Sequence, residues 1–487
     1  MLARCPLSGH RYLGLAGSVA LAVGAYQVGA RPGLADRDGL PGLAEGPAIA
    51  ACLAGLVALT VAWWGLGRRV DSGASPDGRW MLTTATLWAL PLLVTPPLAS
   101  RDVYAYACQG AQFAADECAW TDSVPAIWRD TPSPYGPLAT LLAAGVARVS
   151  GGNVIVAVGL FRLVTLIGIG LGVWYGWRLA IRFGVGAGSA AWLGLAAPVV
   201  LLHAVGGAHH DALMTGLVLA ALWYSVGGRG AVGGLLLGLA AAVKVTALVA
   251  LPFAALAATV AMPSGPSRGR RLVREGLVVS AATVLSYAAL AVPSGLGVDF
   301  LAGLTRTGEL AEWTSVPTAV GMTVGYALRA VGLDAGFDAA VAVARGIGVA
   351  TIVAVAAAAW WWAWRATHDR SRRAVLGAGV TFGAVAALGP VFYPWYAITP
   401  LALLAVSIVD ERPRRWLGVA AGVLPFLVLP NGVGLAPRTK AEGAIAVTAA
   451  LVAAAVVIGR RAARATPTWT MWPMRERTRT RDPRSER

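Results

Sequence analysis

The segment SRDVYAYACQGAQFAADECAWTDSVPAIWRDTPSPYGP, Ser100–Pro137, is polar, aromatic and rich in acidic residues. The chain on both sides of it is apolar over runs of roughly 17–25 residues, the length that a helix needs to cross hydrocarbon about 30 Å thick. This contrast predicts that the flanking helices lie in a membrane and that the segment lies at its surface. We therefore expect the chemistry of the protein in or near this segment.

The composition supports the same fold class. The chain has 487 residues, of which 57% are hydrophobic and 13% are charged, and its mean hydropathy is +0.65. A soluble domain carries charge on about a quarter of its residues, and a membrane β-barrel shows alternating segments of about ten residues. The composition therefore predicts an all-α polytopic integral membrane protein. The net charge of +16 lies in short loops and the C-terminal tail, which indicates membrane topology rather than nucleic-acid binding.

The apolar runs give a coarse helix map and a domain division. The run 231–261 is interpreted as two short helices with Lys244 between them, and the other runs lie at about 12–30, 47–66, 80–98, 154–177, 187–205, 211–227, 276–293, 339–364, 374–391, 397–408, 416–430 and 443–459. The first run has a long apolar core, which favours an uncleaved signal anchor over a signal peptide. We expect one transmembrane domain over 1–459 and a basic, disordered cytoplasmic tail over 460–487.

Two weakly apolar pieces, Leu138–Val149 and Pro317–Val331, leave the topology open. The loop that contains Arg68, Arg69 and Arg79 is cytoplasmic by the positive-inside rule, so Ser100–Pro137 lies outside. If both weak pieces cross, Arg178, Arg182, Arg229 and the cluster Arg268–Arg274 also face outside. If neither crosses, those clusters are cytoplasmic, and the chain has about 14 full spans with both termini inside and further partial or juxtamembrane helices on the outer face. The charge rule favours the second arrangement.

Asp102, at the end of the third apolar run, is the first candidate for chemistry. A carboxylate at a rigid helix end is suited to act as a general base, which must be held within hydrogen-bond reach of a hydroxyl. The alternative is that Asp102 only satisfies backbone groups or pairs with Arg101. The other acids of the segment are expected to be solvated; they are Asp116, Glu117, Asp122 and Asp130.

Three further motifs contain polar residues between apolar runs. PSPYGPL, Pro132–Leu138, predicts a turn leading into a helix, and its Tyr135 could line a pocket. In GGAHHDAL, Gly206–Leu213, adjacent histidines are a poor metal site; we expect Asp211 to cap the next helix while His209 or His210 faces an outer cavity. Lys244, alone in an apolar run, either snorkels to the membrane surface or neutralises a phosphate.

The aromatic residues near the second half of the chain have two interpretations each. Trp313, in WTSVP, could stack on a sugar, and Trp395 and Tyr396, in YPWY, could line the same cavity; both groups could equally be interfacial anchors. Cys108 and Cys118 could form a disulfide if their segment is outside, or be unrelated small residues. No P-loop or dinucleotide fingerprint is present, which argues against a nucleotide-driven enzyme.

The chain resembles the GT-C glycosyltransferases, and more closely the actinobacterial polyprenol-phosphate-mannose-dependent α-1,6-mannosyltransferases that build lipomannan. The residues that carry the resemblance are, in order, DVYAYACQG, PSPYGPL, GGAHHDAL, AAAVKVTALVALP, WTSVP and YPWY, from Asp102 to Pro400. At His210 this chain departs from relatives that have Asn before the Asp.

The resemblance implies a specific reaction. An inverting transfer would move mannose from a polyprenyl-phosphate donor to an α-mannoside lipid acceptor on the extracytoplasmic face of the cell membrane. Asp102 would be the base and Lys244 would hold the phosphate, while Tyr104, Gln109, Tyr135 and Trp313 would position sugars. The resemblance does not imply a cofactor, and the need for a divalent cation stays open, because Lys244 could carry the phosphate charge without one. The alternatives are another polyprenyl-phosphate-sugar transferase with an arabinose or glucose donor, or a lipid-linked-sugar flippase or transporter.

Overall fold

We analysed a computed structural model of the chain, which describes residues 6–32, 46–71, 76–118, 120–129, 131–259, 268–298, 300, 303, 309–334 and 336–465. Within these ranges the protein is helical, and its extended pairing is limited to a bridge between Val428 and Gly434. The prediction of an all-α protein is confirmed for the described part of the chain.

Eighteen α-helices are described. They are α1 (Leu7–Val28), α2 (Gly46–Asp71), α3 (Gly78–Leu93), α4 (Asp102–Phe113), α5 (Ala126–Arg129), α6 (Pro137–Ser150), α7 (Val154–Arg182), α8 (Ala187–Gly194), α9 (Asp211–Val226), α10 (Gly230–Val243), α11 (Leu251–Ala258), α12 (Arg268–Ser294), α13 (Val316–Ala330), α14 (Gly336–Arg365), α15 (Arg370–Leu388), α16 (Ile398–Ala405), α17 (Glu411–Val423) and α18 (Lys440–Ala465). Among the described residues, five helices are long and apolar enough to cross a membrane: α2, α7, α12, α14 and α18. The number of about 14 spans stays a prediction.

Several sequence-predicted elements have different bounds in the structure. The run 187–205 is not one helix, because α8 ends at Gly194 and Val200–Gly206 forms a π-helical segment. Pro198 lies between the two parts and lacks the backbone donor that a continuous helix requires. Helix α18 continues to Ala465, beyond the predicted domain boundary at residue 459, and the rest of the basic tail lies outside the described residues.

The two weak pieces are both helices, α6 and α13, and whether they cross the membrane stays a prediction. The prediction for 231–261 is confirmed, because Lys244 lies between α10 and a 3-10 turn, Val245–Ala250, that leads into α11.

Close packing of α10 against α12 fixes the position of Lys244. A Cβ atom at Gly234 would lie 2.4 Å from Val279 O, and one at Gly238 would lie 2.3 Å from Thr283 O. The absence of side chains at these two positions lets the helix backbones touch, as in small-xxx-small contacts between membrane helices. The paired residue numbers rise together along both helices, so α10 and α12 are parallel. Lys244 therefore lies at the same end of the bundle as the C-terminus of α12.

Backbone hydrogen bonds join the ends of other helices at this same end of the bundle. Each bond joins two loops or helix ends that are distant in sequence: Ala30 N to Pro97 O at 2.9 Å, Leu98 N to Gly206 O at 3.2 Å, Ala99 N to Pro430 O at 3.0 Å, and Gly136 N to Val243 O at 3.1 Å. Helix ends carry backbone groups without partners in their own helix, and these bonds satisfy some of them. We call this end of the bundle the site face.

Candidate active site

Asp102 is the first residue of α4, and its carboxylate lies beside a buried histidine on the site face. Asp102 N donates to Ser100 Oγ at 3.1 Å. Asp102 Oδ2 lies 3.5 Å from His209 Nδ1, and the Asp102 side chain keeps 28% of its surface exposed whereas that of His209 is fully buried. Burial raises the pKa of Asp102 from 3.8 to about 6. The arrangement gives a fixed carboxylate that a hydroxyl can reach from one side.

The helical period of α4 places Asp102, Tyr106 and Gln109 on one face and Tyr104 on the other. The Tyr106 hydroxyl lies 3.2 Å from His209 Nδ1 and 3.1 Å from the Tyr135 hydroxyl. Tyr104 instead donates to Ala30 O at 2.6 Å and is 1% exposed. The expectation that Tyr104 positions a sugar is therefore corrected, because its hydroxyl holds the end of α1. Gln109 is half-buried.

The GGAHHDAL motif brings both histidines into aromatic stacks. The His209 ring stacks on Trp395 at 4.1 Å between centroids, and the His210 ring stacks on Tyr106 at 4.1 Å. Asp211 is the first residue of α9 and His210 is its N-cap, without a side-chain capping bond. The prediction that Asp211 caps the helix is wrong, although a carboxylate in the first turn still favours the helix dipole.

Lys244 lies beside these side chains and does not snorkel away from them. We call the partly exposed site that Asp102, His209, Asp211 and Lys244 line the cavity. Its Nζ is 2.8 Å from Asp211 Oδ1 and 4.3 Å above the ring of Tyr396. The Tyr135 ring lies 6.0 Å from the same nitrogen. Asp211 is 3% exposed and Lys244 is 13% exposed, so each charge stabilises the other in a site with little water. The structure therefore brings together the predicted residues Asp102, Tyr135, His209, His210, Asp211, Lys244, Trp395 and Tyr396.

Trp313 packs on a neighbouring helix. Its Nε1 donates to Thr439 Oγ1 at 3.1 Å, and its indole lies against α18 at Gly443. The adjacent Thr314 donates to Phe392 O at 2.9 Å, which ties this loop to the segment that carries Trp395. The ring that was expected to stack on a sugar therefore already packs against α18. The sugar contact of Trp313 stays a prediction.

Glu312 is a further carboxyl group near the site, in addition to Asp102 and Asp211, and the sequence analysis assigned it no role. Burial raises its pKa from 4.5 to about 7, partly opposed by the charge of Lys440. Its charge also acts on Tyr393 and Tyr396. The sequence feature that could have pointed to Glu312 is its position directly before the WTSVP motif.

Arg162 supports the site from inside α7 and was missed by sequence reasoning. Its guanidinium donates to Leu93 O at 2.8 Å, Thr95 Oγ1 at 3.3 Å, Val205 O at 3.3 Å and Gly206 O at 3.2 Å. These acceptors lie at the C-terminal ends of α3 and of the π-helical segment, shortly before Asp102 and His209. The sequence feature that could have pointed to Arg162 is that it is a single arginine within the apolar run 154–177, where a charged residue usually has a function.

His203 was also missed. It lies in the π-helical segment, is fully buried, and its ring centroid is 5.5 Å from that of Trp395. Segments of π-helix are frequent at functional sites, but their one-residue bulge leaves no clear pattern in an apolar sequence. Here the segment sets the position of the histidine motif that follows.

Cys108 and Cys118 form a disulfide with a Cα–Cα distance of 4.9 Å, which closes the loop after α4. In the described ranges, no group of three or more His, Cys, Asp or Glu side chains is arranged to hold a metal ion.

Two parts of the chain match known protein families. Residues 11–260 match the family described as Alpha-(1->6)-mannopyranosyltransferase, N-terminal domain. The chain belongs to this family. Residues 317–459 match the family described as MptB C-terminal domain. The cavity therefore draws Asp102 and Lys244 from the first matched region and Trp395 and Tyr396 from the second.

Curated relatives cover most of the chain. A probable alpha-(1->6)-mannopyranosyltransferase of Mycolicibacterium smegmatis is 33% identical over 81% of this chain and 78% of its own length. Alpha-(1->6)-mannopyranosyltransferase A of Mycobacterium tuberculosis is 32% identical over 78% of this chain and 75% of its own length. No solved structure matches the chain. The protein is accordingly a glycosyltransferase.

We expect Arg162→Met to destabilise the protein, because four acceptors at buried helix ends lose their donor. The expected loss is roughly 2–4 kcal/mol, measured as a lower midpoint of thermal unfolding in detergent. Arg148→Met, at an exposed position of α6, is the matched control and should leave the midpoint unchanged. Equal midpoints for the two variants would contradict the role given to Arg162.

Proposed function

We propose that the chain transfers mannose from a polyprenyl-phosphate-mannose donor to an α-mannoside lipid acceptor, with inversion and formation of an α-1,6 linkage in lipomannan biosynthesis. We place the cavity on the extracytoplasmic face, in a GT-C-type fold. The observation that carries the proposal is the presence of a reachable carboxylate, Asp102, and a paired ammonium, Lys244, in one cavity. The names of the relatives support the sugar and the linkage.

Asp102 is proposed as the base. An acceptor hydroxyl that approaches its exposed side transfers its proton to the carboxylate, while the hydroxyl oxygen attacks the anomeric carbon. The bond between that carbon and the donor phosphate breaks on the opposite face of the sugar, which inverts the configuration. His209, buried behind Asp102 and stacked on Trp395, keeps the carboxylate in place during the transfer.

Lys244 is proposed to stabilise the departing phosphate. The phosphate gains negative charge as the glycosidic bond breaks, and a fixed ammonium in a site of low polarity stabilises that charge more than water does. Asp211 accepts from Nζ at 2.8 Å and so fixes its direction. The two other hydrogens of Nζ are available to phosphate oxygens.

An apolar groove supports a donor with a hydrocarbon chain. The groove has a volume of about 830 Å³ and lies between α11, α14 and α15; Val249, Phe253, Val353, Trp360 and Val385 are among the residues that line it. Val249 belongs to the 3-10 turn that directly follows Lys244. Only 11% of the apolar window of α14 is buried inside the protein, so one wall faces lipid. A polyprenyl chain in this groove would have its phosphate near Lys244.

We expect Asp102→Asn to lower mannose transfer by roughly 10²–10⁴-fold, the usual contribution of a general base. Because the carboxylate must be ionised to accept a proton, transfer by the wild type should rise with pH around the Asp102 pKa of about 6 and fall below it. The measurement is transfer from purified polyprenyl-phosphate-mannose to an α-mannoside, followed from pH 4 to 8 (a range of roughly two units on each side of that pKa).

Asp116→Asn is the control, because Asp116 lies in the same polar segment but is exposed; it should keep full activity. Arabinose and glucose donors in the same assay test the alternative substrates. Full transfer by Asp102→Asn, or transfer that does not change with pH around 6, would rule out the base.

We expect the two ends of α12 to be labelled from opposite sides of the membrane. A cysteine at Gly297, beyond the C-terminus of α12 on the site face, should react with a membrane-impermeant maleimide on intact cells. A cysteine at Gly269, at the other end of α12, should react only after the cells are opened. Both glycines have open space for a Cβ, and the described native cysteines are either buried or in a disulfide. The reverse labelling pattern would place the cavity in the cytoplasm.

A further inference from the structure

A cluster of arginines and tryptophans lies at the end of the bundle opposite to the site face. We define the Arg–Trp cluster as Arg268, Arg370, Arg373, Trp362 and Trp364. The helix α12 runs about 40 Å, at 1.5 Å per residue, from Arg268 to its C-terminus on the site face. The C-terminus of α14 and the N-terminus of α15 meet Arg268 at this opposite end. The cluster is therefore remote from Asp102 and Lys244.

The arginines of the cluster are held by ring and carbonyl contacts. The Arg268 guanidinium lies 3.8 Å above the Trp364 ring, and the Arg373 guanidinium lies 4.6 Å above the Trp362 ring. Arg268 also donates to Trp364 O, and Arg370 donates to Ala366 O. These contacts fix the direction of each guanidinium but use only part of its five donors.

The positive charge of the cluster is not balanced by the protein in the part that the structure describes. Arg268 and Arg370 donate to the carbonyl groups of Trp364 and Ala366, two residues apart in the chain, so their positive charges lie near each other. The nearest acid in sequence, Asp369, pairs with Arg372 at 3.3 Å. The Nε atoms of Arg268 and Arg373 are buried and, among the described residues, have no hydrogen-bond partner. Neighbouring guanidinium groups without a carboxylate are stabilised by a shared anion.

The surroundings indicate the source of that anion. Only 17% of the apolar window of α12 and 11% of that of α14 are buried inside the protein, so both helices present their outer faces to lipid. Trp362 is 42% exposed, and exposed tryptophan at the end of a membrane helix is typical of the headgroup region. At this depth the abundant anion is a lipid phosphate, which guanidinium groups bind in bidentate geometry.

We propose that the Arg–Trp cluster binds the headgroup of an anionic phospholipid in the leaflet opposite to the active site. The phosphate lies between Arg268 and Arg370, and the tryptophans contact the glycerol and the upper acyl chains. The site is independent of the proposed transfer reaction, because it uses none of the cavity residues.

The test measures lipid binding by the full purified chain with native mass spectrometry, using phosphatidylglycerol and phosphatidylcholine of the same acyl chains. The wild type should retain phosphatidylglycerol in preference to phosphatidylcholine. The double variant R268Q/R370Q should bind phosphatidylglycerol at least roughly tenfold less tightly, because each of the two lost charge-assisted pairs alone weakens binding by about that factor. R460Q/R461Q, which removes two exposed arginines from the end of α18, is the matched control and should bind as the wild type does.

Three results would overturn the proposal. Equal losses in the two double variants would show only diffuse attraction by surface charge. Equal retention of the two lipids would show no preference for an anionic headgroup, and displacement of the lipid by inorganic phosphate at similar concentration would show a site for soluble anions. If R268Q/R370Q does not fold, R268K/R370K is tested instead. Lysine keeps both positive charges but lacks the planar guanidinium group that binds a phosphate through two hydrogen bonds. The affinity of R268K/R370K should then lie below that of the wild type, and an unchanged affinity would overturn the proposal equally.

Discussion

The ion pair between Lys244 and Asp211 is the interaction on which the rest of the site depends. A lone ammonium in a largely apolar environment is costly, and so is a lone carboxylate; at 2.8 Å each stabilises the other. The pair joins the end of α10 to the start of α9. Asp211 directly follows the two histidines in the sequence, and Lys244 directly precedes the 3-10 turn. The ion pair therefore lies between the proposed active site and the apolar groove along α11.

The ends of the helices must be satisfied for this cavity to exist. Helix termini leave backbone groups without partners, and lipid offers none in exchange. The structure supplies partners for these backbone groups through hydrogen bonds between loops, such as Leu98 N to Gly206 O, and through the side chain of Arg162. Both devices hold the segments before Asp102 and His209 together.

Much of the candidate site could be predicted from the sequence, because polar residues in an apolar chain are conspicuous. Asp102, the histidine motif and Lys244 interrupt apolar runs in the sequence, and the structure brings them together. The direction of individual side chains could not be predicted in the same way. Tyr104 and Tyr106 look alike in the sequence, yet the helical period turns one toward α1 and the other toward His209.

Other features depend on contacts between distant parts of the chain. The π-helical segment around His203 has the composition of an ordinary apolar helix, and only the structure separates it from α8. Arg162 is one charge in a long apolar run, and its four acceptors come from two segments far from it in sequence. The helix bounds near Pro198 also differ from the apolar run 187–205, because hydrophobicity does not show where the backbone hydrogen bonding changes.

The central claim is that Lys244 holds the phosphate of a lipid donor in the cavity beside Asp102. The most direct measurement compares the affinities of the wild type and of K244Q/D211N for a polyprenyl phosphate and for the uncharged polyprenol. The double variant replaces the ion pair by neutral groups of similar shape and leaves no buried charge unpaired. The account predicts at least about tenfold weaker binding of the phosphate and unchanged binding of the alcohol. Equal binding of the phosphate by both proteins would contradict it.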